Sequence, residues 1–270
     1  MDTVVIKHIQ DMTFLDWSHI RSSSGTAGTL LKAETIENGR KVYYKLSGYD
    51  SVEGITGHEC LNEIIIDRLL TILGIEHLHY QLTHAKVEID GRNHITWLCA
   101  SEDFKQQGES KIALDDFYRV NASKGESHYD FCCRMGWREY VDRMIAVDYL
   151  ILNRDRHGAN IEVLRNSRSK TMRIAPLFDH GLSLLFSCQT DEEIQKFDVM
   201  KDRPCQNYIG SRSCLENLKY ITDKASVFPC KLEEEDKKIL FQDLEDVISE
   251  AHRKAIWSMI YRRYLHYENL

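Results

Sequence analysis

The stretch Asn153-Arg154-Asp155-Arg156-His157-Gly158-Ala159-Asn160, together with Asp179-His180-Gly181 further along the chain, holds the pattern that decides the fold. Asn160 lies five residues after Asp155, and Asp179 lies nineteen residues after Asn160. An Asp, an Asn five residues on and a later Asp before x-Gly is the spacing with which phosphoryl-transfer enzymes hold one base and a metal pair. The sequence therefore predicts an ATP-dependent kinase.

Each polar residue of the pattern has a chemical role in that prediction. Asp155 is the expected base for the attacking hydroxyl, and Asn160 and Asp179 are the expected Mg²⁺ ligands. Asp and Asn are also common turn residues, but two half-motifs in register favour the functional interpretation. His157 could contact nucleotide phosphates or the Asp179 segment, and a bond to the loop backbone is its more ordinary role.

The flanking sequence predicts the elements that carry these residues. Residues 137–152 place apolar side chains and Asp148 at helical spacing, which indicates a helix leading into the loop. Residues 161–164 and 173–178 read as two apolar strands around a polar turn at 166–170. Such a hairpin brings Asn160 and Asp179 to the same end.

The Asp-Arg-His-x-x-Asn motif at 155–160 and the Asp-x-Gly at 179–181 resemble the catalytic core of the HipA-like serine/threonine kinases, the bacterial toxin kinases of HipBA-type modules. The same core is related to that of phosphatidylinositol 3/4-kinases, whose large helical and membrane-binding regions would not fit into 270 residues. The segment 207–213, Asn-Tyr-Ile-Gly-Ser-Arg-Ser, also resembles the HipA-like kinases rather than the phosphatidylinositol kinases. The chain is much shorter than the founding HipA, so the extra N-terminal subdomain of the larger toxins is expected to be absent or encoded separately.

The N-terminal third must then supply a loop over the phosphates. The small residues at 22–29 suit this role, because backbone amides near Ser24, Gly25, Thr26 and Gly28 could approach phosphates closely. A plain hairpin turn is the competing interpretation.

A lysine on a strand and a glutamate on a helix are expected next. Alternation over residues 41–46 puts Lys45 on the face opposite the apolar side chains, towards a nucleotide cleft, although a solvent-facing edge lysine would show the same pattern. A helix is expected from Thr56, capped by Thr56 and Glu59, to Gly74. Glu63 lies on its apolar face and needs a partner, for which Lys45 is the expected cation.

The predicted fold class is α+β, a bilobal protein-kinase-like fold with a small β-rich N-lobe at residues 1–100 and a mainly helical C-lobe at residues 101–270. By position along the chain, residues 98–102 form the hinge between the lobes. Backbone groups near Cys99 and Glu102 are therefore expected to bond the adenine edge.

The composition limits the partners. There are 35 Lys and Arg against 42 Asp and Glu, a net charge of −7, so no basic footprint for direct nucleic-acid binding is present. Asp2 and Lys7 interrupt the apolar start, and the eight cysteines form no Cys-x-x-Cys pair. We therefore expect a cytoplasmic protein with reduced thiols and no membrane partner.

The predicted reaction uses ATP and Mg²⁺ and phosphorylates a hydroxyl. The resemblance implies a Ser or Thr of a protein as acceptor, a possible antitoxin partner, and autophosphorylation near Ser22, Ser23 and Ser24. A small-molecule or lipid kinase would share the same residues, and a non-catalytic nucleotide-binding module would share the fold. His180 replaces the Phe common in protein kinases and leaves the packing around Asp179 open.

Overall fold

The computed structural model describes residues 4–18 and 30–270. Its N-terminal part is rich in strands, which are β1 (Val5–Asp11), β2 (Lys32–Glu37), β3 (Arg40–Leu46), β4 (Tyr49–Asp50), β5 (Gly54–Ile55), β6 (Gln81–Ile89) and β7 (Arg92–Glu102). Among the described residues, five of them form one sheet in the order β1-β6-β7-β3-β2. Neighbouring strands are antiparallel except for the parallel pair β1 and β6.

Strand β3 shows why the two faces of this sheet differ. Val42, Tyr44 and Leu46 alternate along it and are buried in a small apolar core on one face. Because successive side chains point to opposite faces of a strand, Lys45 lies on the other face. The alternation predicted from the sequence is confirmed.

Helix α1 (Glu59–Leu73) packs on the face of the sheet that carries Lys45 and is buried along almost its whole length. Ile64, Ile65 and Ile66 have no exposed surface, and burial of each such side chain contributes about 1.5–3 kcal/mol. The helix ends at Gly74, as predicted, with φ +71° in the left-handed region.

The start of α1 corrects one prediction. Thr56 does not cap the helix, which begins three residues later at Glu59. Ser47 Oγ accepts a hydrogen bond from Cys60 N at 3.2 Å, and the Glu59 carboxylate accepts one from Gly48 N at 3.2 Å. A neighbouring loop therefore replaces the predicted capping box, and the sequence around Thr56 could not reveal this because the contact is tertiary.

The C-terminal part is mainly helical. Its helices are α2 (Leu114–Asn121), α3 (His128–Arg134), α4 (Arg138–Ile151), α5 (Asp191–Lys196), α6 (Cys214–Asn217), α7 (Lys237–Leu240) and α8 (Glu250–Glu268), and its strands are β8 (Glu109–Ala113), β9 (Asp155–Arg156), β10 (Glu162–Asn166), β11 (Thr171–Ile174) and β12 (Gln206–Asn207). A small antiparallel sheet has the order β11-β10-β8. The helix expected at 137–152 and the hairpin around 166–170 are both confirmed, as α4, β10 and β11.

The loop between α4 and β10 is held within the C-terminal part. Its first residues form β9, which pairs in parallel with β12, so the segment 187–212 expected to be a long loop contains α5 and a strand. Strand β7 runs to Glu102, close to the boundary expected at residue 100. A β-rich N-terminal part followed by a helical C-terminal part is thus the observed architecture.

Candidate active site

Three elements bring one lysine and two carboxylates together. Lys45 Nζ of β3 lies 3.2 Å from Glu63 Oε1 of α1 and 2.9 Å from Asp179 Oδ1. The ion pair predicted between Lys45 and Glu63 is present, and the Asp of the Asp-x-Gly motif joins it. Strand, helix and motif therefore converge on a single charged cluster between the two parts of the fold.

The charges of this cluster stabilise one another. Burial would lower the pKa of Lys45, but Asp179 and Glu63 outweigh it and hold that pKa well above its ordinary value. Burial would raise the pKa of Asp179 and of Glu63, but the Lys45 ammonium outweighs it, and both are lowered. All three groups are therefore charged at neutral pH.

Helix α1 also holds the backbone of the Asp-His-Gly segment. Glu63 Oε2 accepts a hydrogen bond from His180 N at 3.0 Å, so the carboxylate that pairs with Lys45 also fixes the motif. Asn62 Nδ2 donates to Gly181 O at 2.9 Å and to Ser183 O at 3.0 Å. These contacts hold Asp179 at φ +61°, a left-handed conformation that Asp tolerates better than most residues.

The sequence did not predict how His180 packs against the Asp179 segment. Its side chain is buried, and Nδ1 lies 3.7 Å from Glu63 Oε2. Burial lowers the pKa of His180, which favours the neutral ring despite the nearby carboxylate. The histidine is thus a buried ring held beside the Glu63 carboxylate.

The loop that carries Asp155 contains several hydrogen bonds between its own side chains and its own backbone. Asp155 N donates to Asn153 Oδ1 at 3.0 Å, and Asn160 Nδ2 donates to Asp155 O at 2.9 Å. His157 Nδ1 accepts from Ala159 N at 3.1 Å, which is the backbone contact expected for this histidine. Side chains of the loop thereby hold its own backbone in place.

The Asp155 carboxylate itself accepts no hydrogen bond from the described residues, and His157 Nε2 lies 3.7 Å from it. Burial and the charge of Asp179 raise the pKa of Asp155, although His157 opposes this. A half-buried carboxylate with a raised pKa and unused oxygens has the properties of a general base.

Sequence reasoning missed the residues that support this loop. Arg156 is fully buried, and its Nε lies 3.1 Å from Asp148 Oδ2 on α4. Its Nη1 donates to Phe178 O at 2.9 Å, next to Asp179. Asn153 Nδ2 also donates to Asp148 Oδ1, at 2.9 Å. The signal was in the sequence, because Asp148 on an apolar stripe requires a buried partner.

The residues present fit a magnesium ion. The hydrogen bond made by Asn160 Nδ2 leaves the amide oxygen without a partner among the described residues. Lys45 Nζ donates a hydrogen bond to Asp179 Oδ1, and Asp179 Oδ2 has no hydrogen bond to any described residue. Carboxylate and amide oxygens are ligands that Mg²⁺ accepts, so Asn160 and Asp179 could hold it.

The expected phosphate loop falls outside the described residues, and with it Ser22, Ser23, Ser24, Gly25, Thr26 and Gly28. The residues that flank this segment are paired, since Ser18 forms an antiparallel bridge with Lys32 of β2. The role of the loop stays a prediction.

The hinge prediction is corrected at Cys99. Cys99 is paired with Lys45 of β3 on one side and with Leu82 of β6 on the other, so its backbone groups lie inside the sheet. Its buried thiol lies on the Lys45 face. Glu102 is opposite Val42, and its carboxylate bonds Arg40 at 2.7 Å on the other face. A backbone contact to a base at Glu102 stays a prediction.

The mixed sheet with one packed helix, followed by a helical part that carries the Asp155 loop, defines a protein-kinase-like fold. The solved structure of the proinflammatory kinase CtkA from Helicobacter pylori is similar to the chain with a TM-score of 0.62 and 17% sequence identity, over 95% of this chain and 94% of CtkA. This similarity confirms the predicted fold class.

Two further structures align less closely. One is the complex of HipA, HipB and operator DNA from Shewanella oneidensis MR-1, with a TM-score of 0.43 and 14% identity over 97% of this chain and 70% of that one. The other is WaaP in complex with acyl carrier protein, with a TM-score of 0.38 and 13% identity over 90% and 87% of the two chains. These scores are too low to show a shared fold. No protein-family model matches the sequence, and no curated protein matches it either.

Proposed function

We propose that the chain is an ATP-dependent kinase that transfers the γ-phosphoryl group to a Ser or Thr hydroxyl of a protein. The observation that carries the proposal is the position of Lys45 Nζ between Glu63 at 3.2 Å and Asp179 at 2.9 Å. In protein kinases, phosphoryl transfer depends on a lysine held by a helix glutamate beside a metal-binding aspartate.

The residues divide the chemistry between them. Lys45, oriented by Glu63, would bind the phosphates, and Asn160 and Asp179 would hold Mg²⁺ against them. Asp155 would accept the proton of the attacking hydroxyl, for which its raised pKa suits it. When bound, ATP supplies the phosphoryl group, and the Mg²⁺ ion would neutralise the charge that develops on it.

The acceptor class comes from the sequence resemblance to HipA-like kinases, and so do the antitoxin partner and the autophosphorylation proposed at Ser22, Ser23 or Ser24. CtkA is a kinase, which supports phosphotransfer. It does not favour one class of acceptor over another. The helices of residues 4–18 and 30–270 are too short or too polar to span a bilayer. A cytoplasmic protein that acts without direct nucleic-acid or membrane contact remains our proposal.

Two alternatives differ in their products. A small-molecule or lipid kinase would use the same Lys45, Asp155 and Asp179 and differ only in the acceptor. A non-catalytic nucleotide-binding module would bind ATP without turnover, but the unused carboxylate of Asp155 favours catalysis.

The test is ADP release from Mg·ATP in the presence of separate acceptor classes: a mixture of dephosphorylated proteins, phosphatidylinositol vesicles, sugars and aminoglycosides. We expect ADP release and labelled Ser or Thr with proteins, and neither in Asp155→Asn. Release stimulated by lipids or sugars alone would replace the protein-kinase proposal with the small-molecule one. ATP binding without release in any arm would indicate the non-catalytic module.

A further inference from the structure

A second cluster of polar side chains lies behind the active site, between α1 and the segment that leads into β6. Asp67 Oδ1 of α1 is 2.8 Å from His77 Nε2 and 3.0 Å from His79 Nδ1. These three ligand atoms lie within 4.8 Å of one another. The reaction proposed above uses none of these side chains.

The backbone fixes the orientation of two members of the cluster. His77 Nδ1 is 2.6 Å from Ile75 O, and since a carbonyl only accepts, Nδ1 carries the proton and donates it. In the neutral ring the lone pair of Nε2 therefore faces the Asp67 carboxylate at 2.8 Å, and the Thr71 hydroxyl, at 3.4 Å, is the other polar group near this nitrogen. Asp67 Oδ2 accepts a hydrogen bond from Tyr80 N at 2.7 Å, which leaves Oδ1 facing both histidines.

A histidine nitrogen lone pair facing a carboxylate oxygen is unfavourable unless a proton or a cation lies between them. Metal-binding histidines usually donate their other N–H to a backbone carbonyl or a carboxylate, as His77 does to Ile75. Two imidazole nitrogens and one carboxylate oxygen are a typical ligand set for zinc and related ions. We propose that Asp67, His77 and His79 bind a divalent transition-metal ion of the zinc class.

The spacing agrees with this proposal. Ligands about 2.0–2.1 Å from a tetrahedral zinc ion lie about 3.3 Å from one another. The two distances from Asp67, 2.8 and 3.0 Å, need to widen by a few tenths of an ångström, and the two histidine nitrogens lie within 4.8 Å of each other. The side chain of His79 is 48% exposed and free to make that adjustment.

The cluster also opens onto space for a fourth ligand. His77 and His79 line a cavity of about 420 Å³ together with Tyr80, Gln81 and Glu102. A water molecule or a side chain from outside can enter there and complete the coordination. Three protein ligands with an open position are the usual arrangement of an accessible zinc site.

Its position links such a site to the machinery of the proposed kinase. Asp67 lies one helical turn after Glu63 on α1, so both carboxylates are carried by the same rigid element. Tyr80, whose N–H bonds Asp67, also accepts a hydrogen bond at its hydroxyl from Asp179 N at 3.4 Å. His77 pairs with Leu177, two residues before Asp179. An ion here would hold α1 and the Asp179 segment in place.

The test is equilibrium dialysis of the purified full chain against Zn²⁺, with bound metal measured by elemental analysis in wild type, His79→Ala and the control His84→Ala. His84 is a histidine of β6 that bonds Lys7 O at 3.1 Å and lies outside the cluster. Zinc held by the eight cysteines is common to all three proteins and cancels in the comparison. Circular dichroism verifies that each protein is folded.

We expect His79→Ala to bind zinc at least about tenfold more weakly than wild type, and His84→Ala to match wild type. Zinc should also raise the Tm of wild type and of His84→Ala but not of His79→Ala. Equal binding by all three proteins, or an equal loss in the two variants, would overturn the proposal and leave a hydrogen-bonded His-Asp cluster. This readout does not depend on kinase activity, so the metal site and the proposed function can fail separately.

Discussion

At the scale of single residues, the candidate site depends on charges placed where water is largely excluded. Lys45 has only 12% of its side-chain surface exposed and Glu63 only 2%, so neither charge would be stable there alone. Their pairing, and the further pairing of Lys45 with Asp179, makes the cluster possible. The same pairing gives the residues distinct roles, because Asp179 stays ionised while Asp155 has a raised pKa.

The first prediction concerns the pH dependence of phosphotransfer. Asp155 acts as a base only when deprotonated, and burial raises its pKa. Activity should therefore fall as the pH drops through that raised value, so the acid limb of kcat/KM should lie above the ordinary aspartate pKa of about 3.9. A kcat/KM profile from about pH 4 to pH 8 measures this limb. A profile that stays flat down to pH about 4 would exclude Asp155 as the titrating base.

The second prediction separates Glu63 from the neighbouring Glu59. Glu63→Gln weakens the ion pair that orients Lys45, and small displacements of positioning groups can cost about 10²-fold in rate. We expect kcat/KM to fall by about that factor, with ATP turnover as the measurement. Within residues 4–18 and 30–270 the Glu59 carboxylate hydrogen-bonds only Gly48 N, so Glu59→Gln, one turn earlier, should stay within a few-fold of wild type. Equal losses in the two variants would contradict the assignment.

A site residue could be predicted where neighbouring residues determine its position, and could not be predicted where distant contacts do. The cluster of Lys45, Glu63 and Asp179 could be predicted because strand alternation, a charge on an apolar stripe and motif spacing are local properties of the sequence. The roles of Asp155 and Asn160 stay predictions. The enclosed backbone of Cys99 depends on strand register, and the helix start near Thr56 depends on a distant loop. Neither can be read from neighbouring residues.

At the scale of elements, α4 and the loop that follows it behave as one unit. Helix α4 provides Asp148, which Arg156 and Asn153 bind from the loop. Arg156 then reaches Phe178 O, so the same guanidinium joins the Asp155 loop to the Asp179 segment. The buried ion pair of Arg156 with Asp148 of α4 therefore links the Asp155 loop to the Asp179 segment.

The third prediction follows from this ion pair. Arg156→Met leaves the Asp148 carboxylate buried without its cation, which typically costs about 3–5 kcal/mol in the free energy of unfolding. Urea unfolding measures this loss. The control Arg168→Met lies on the exposed turn between β10 and β11 and should change the free energy by less than about 0.5 kcal/mol. A loss below about 1 kcal/mol for Arg156→Met would mean that the pair does not hold the loop.

At the scale of the whole molecule, the site exists only where the β-rich part and the helical part meet. Lys45 and Glu63 come from the first, and Asp155, Asn160 and Asp179 from the second. The order of these elements along the chain could be predicted from the sequence, as could the β-rich and helical halves. Their mutual orientation could not, since it depends on contacts such as those of Asn62 with Gly181 and Ser183.

The fourth prediction uses this arrangement. A ligand that binds only the folded state at 100 times its Kd stabilises it by about 2.7 kcal/mol. We expect ATP to raise the Tm strongly with Mg²⁺ and weakly with EDTA, because Asp179 and Asn160 act through the metal. Asp179→Asn should abolish the difference. Equal shifts with and without Mg²⁺ in wild type would show that no metal joins the nucleotide to the site.

The most direct measurement of the central claim is phosphate incorporation, read by intact-mass spectrometry after incubation with Mg·ATP and a dephosphorylated protein mixture. Wild type is compared with Asp155→Asn and Asp179→Asn, with folding verified by circular dichroism. We predict added phosphate on the chain or on an acceptor protein with wild type, and none with either variant. Equal incorporation by wild type and Asp155→Asn, or none by wild type under any condition, would contradict phosphotransfer at this site.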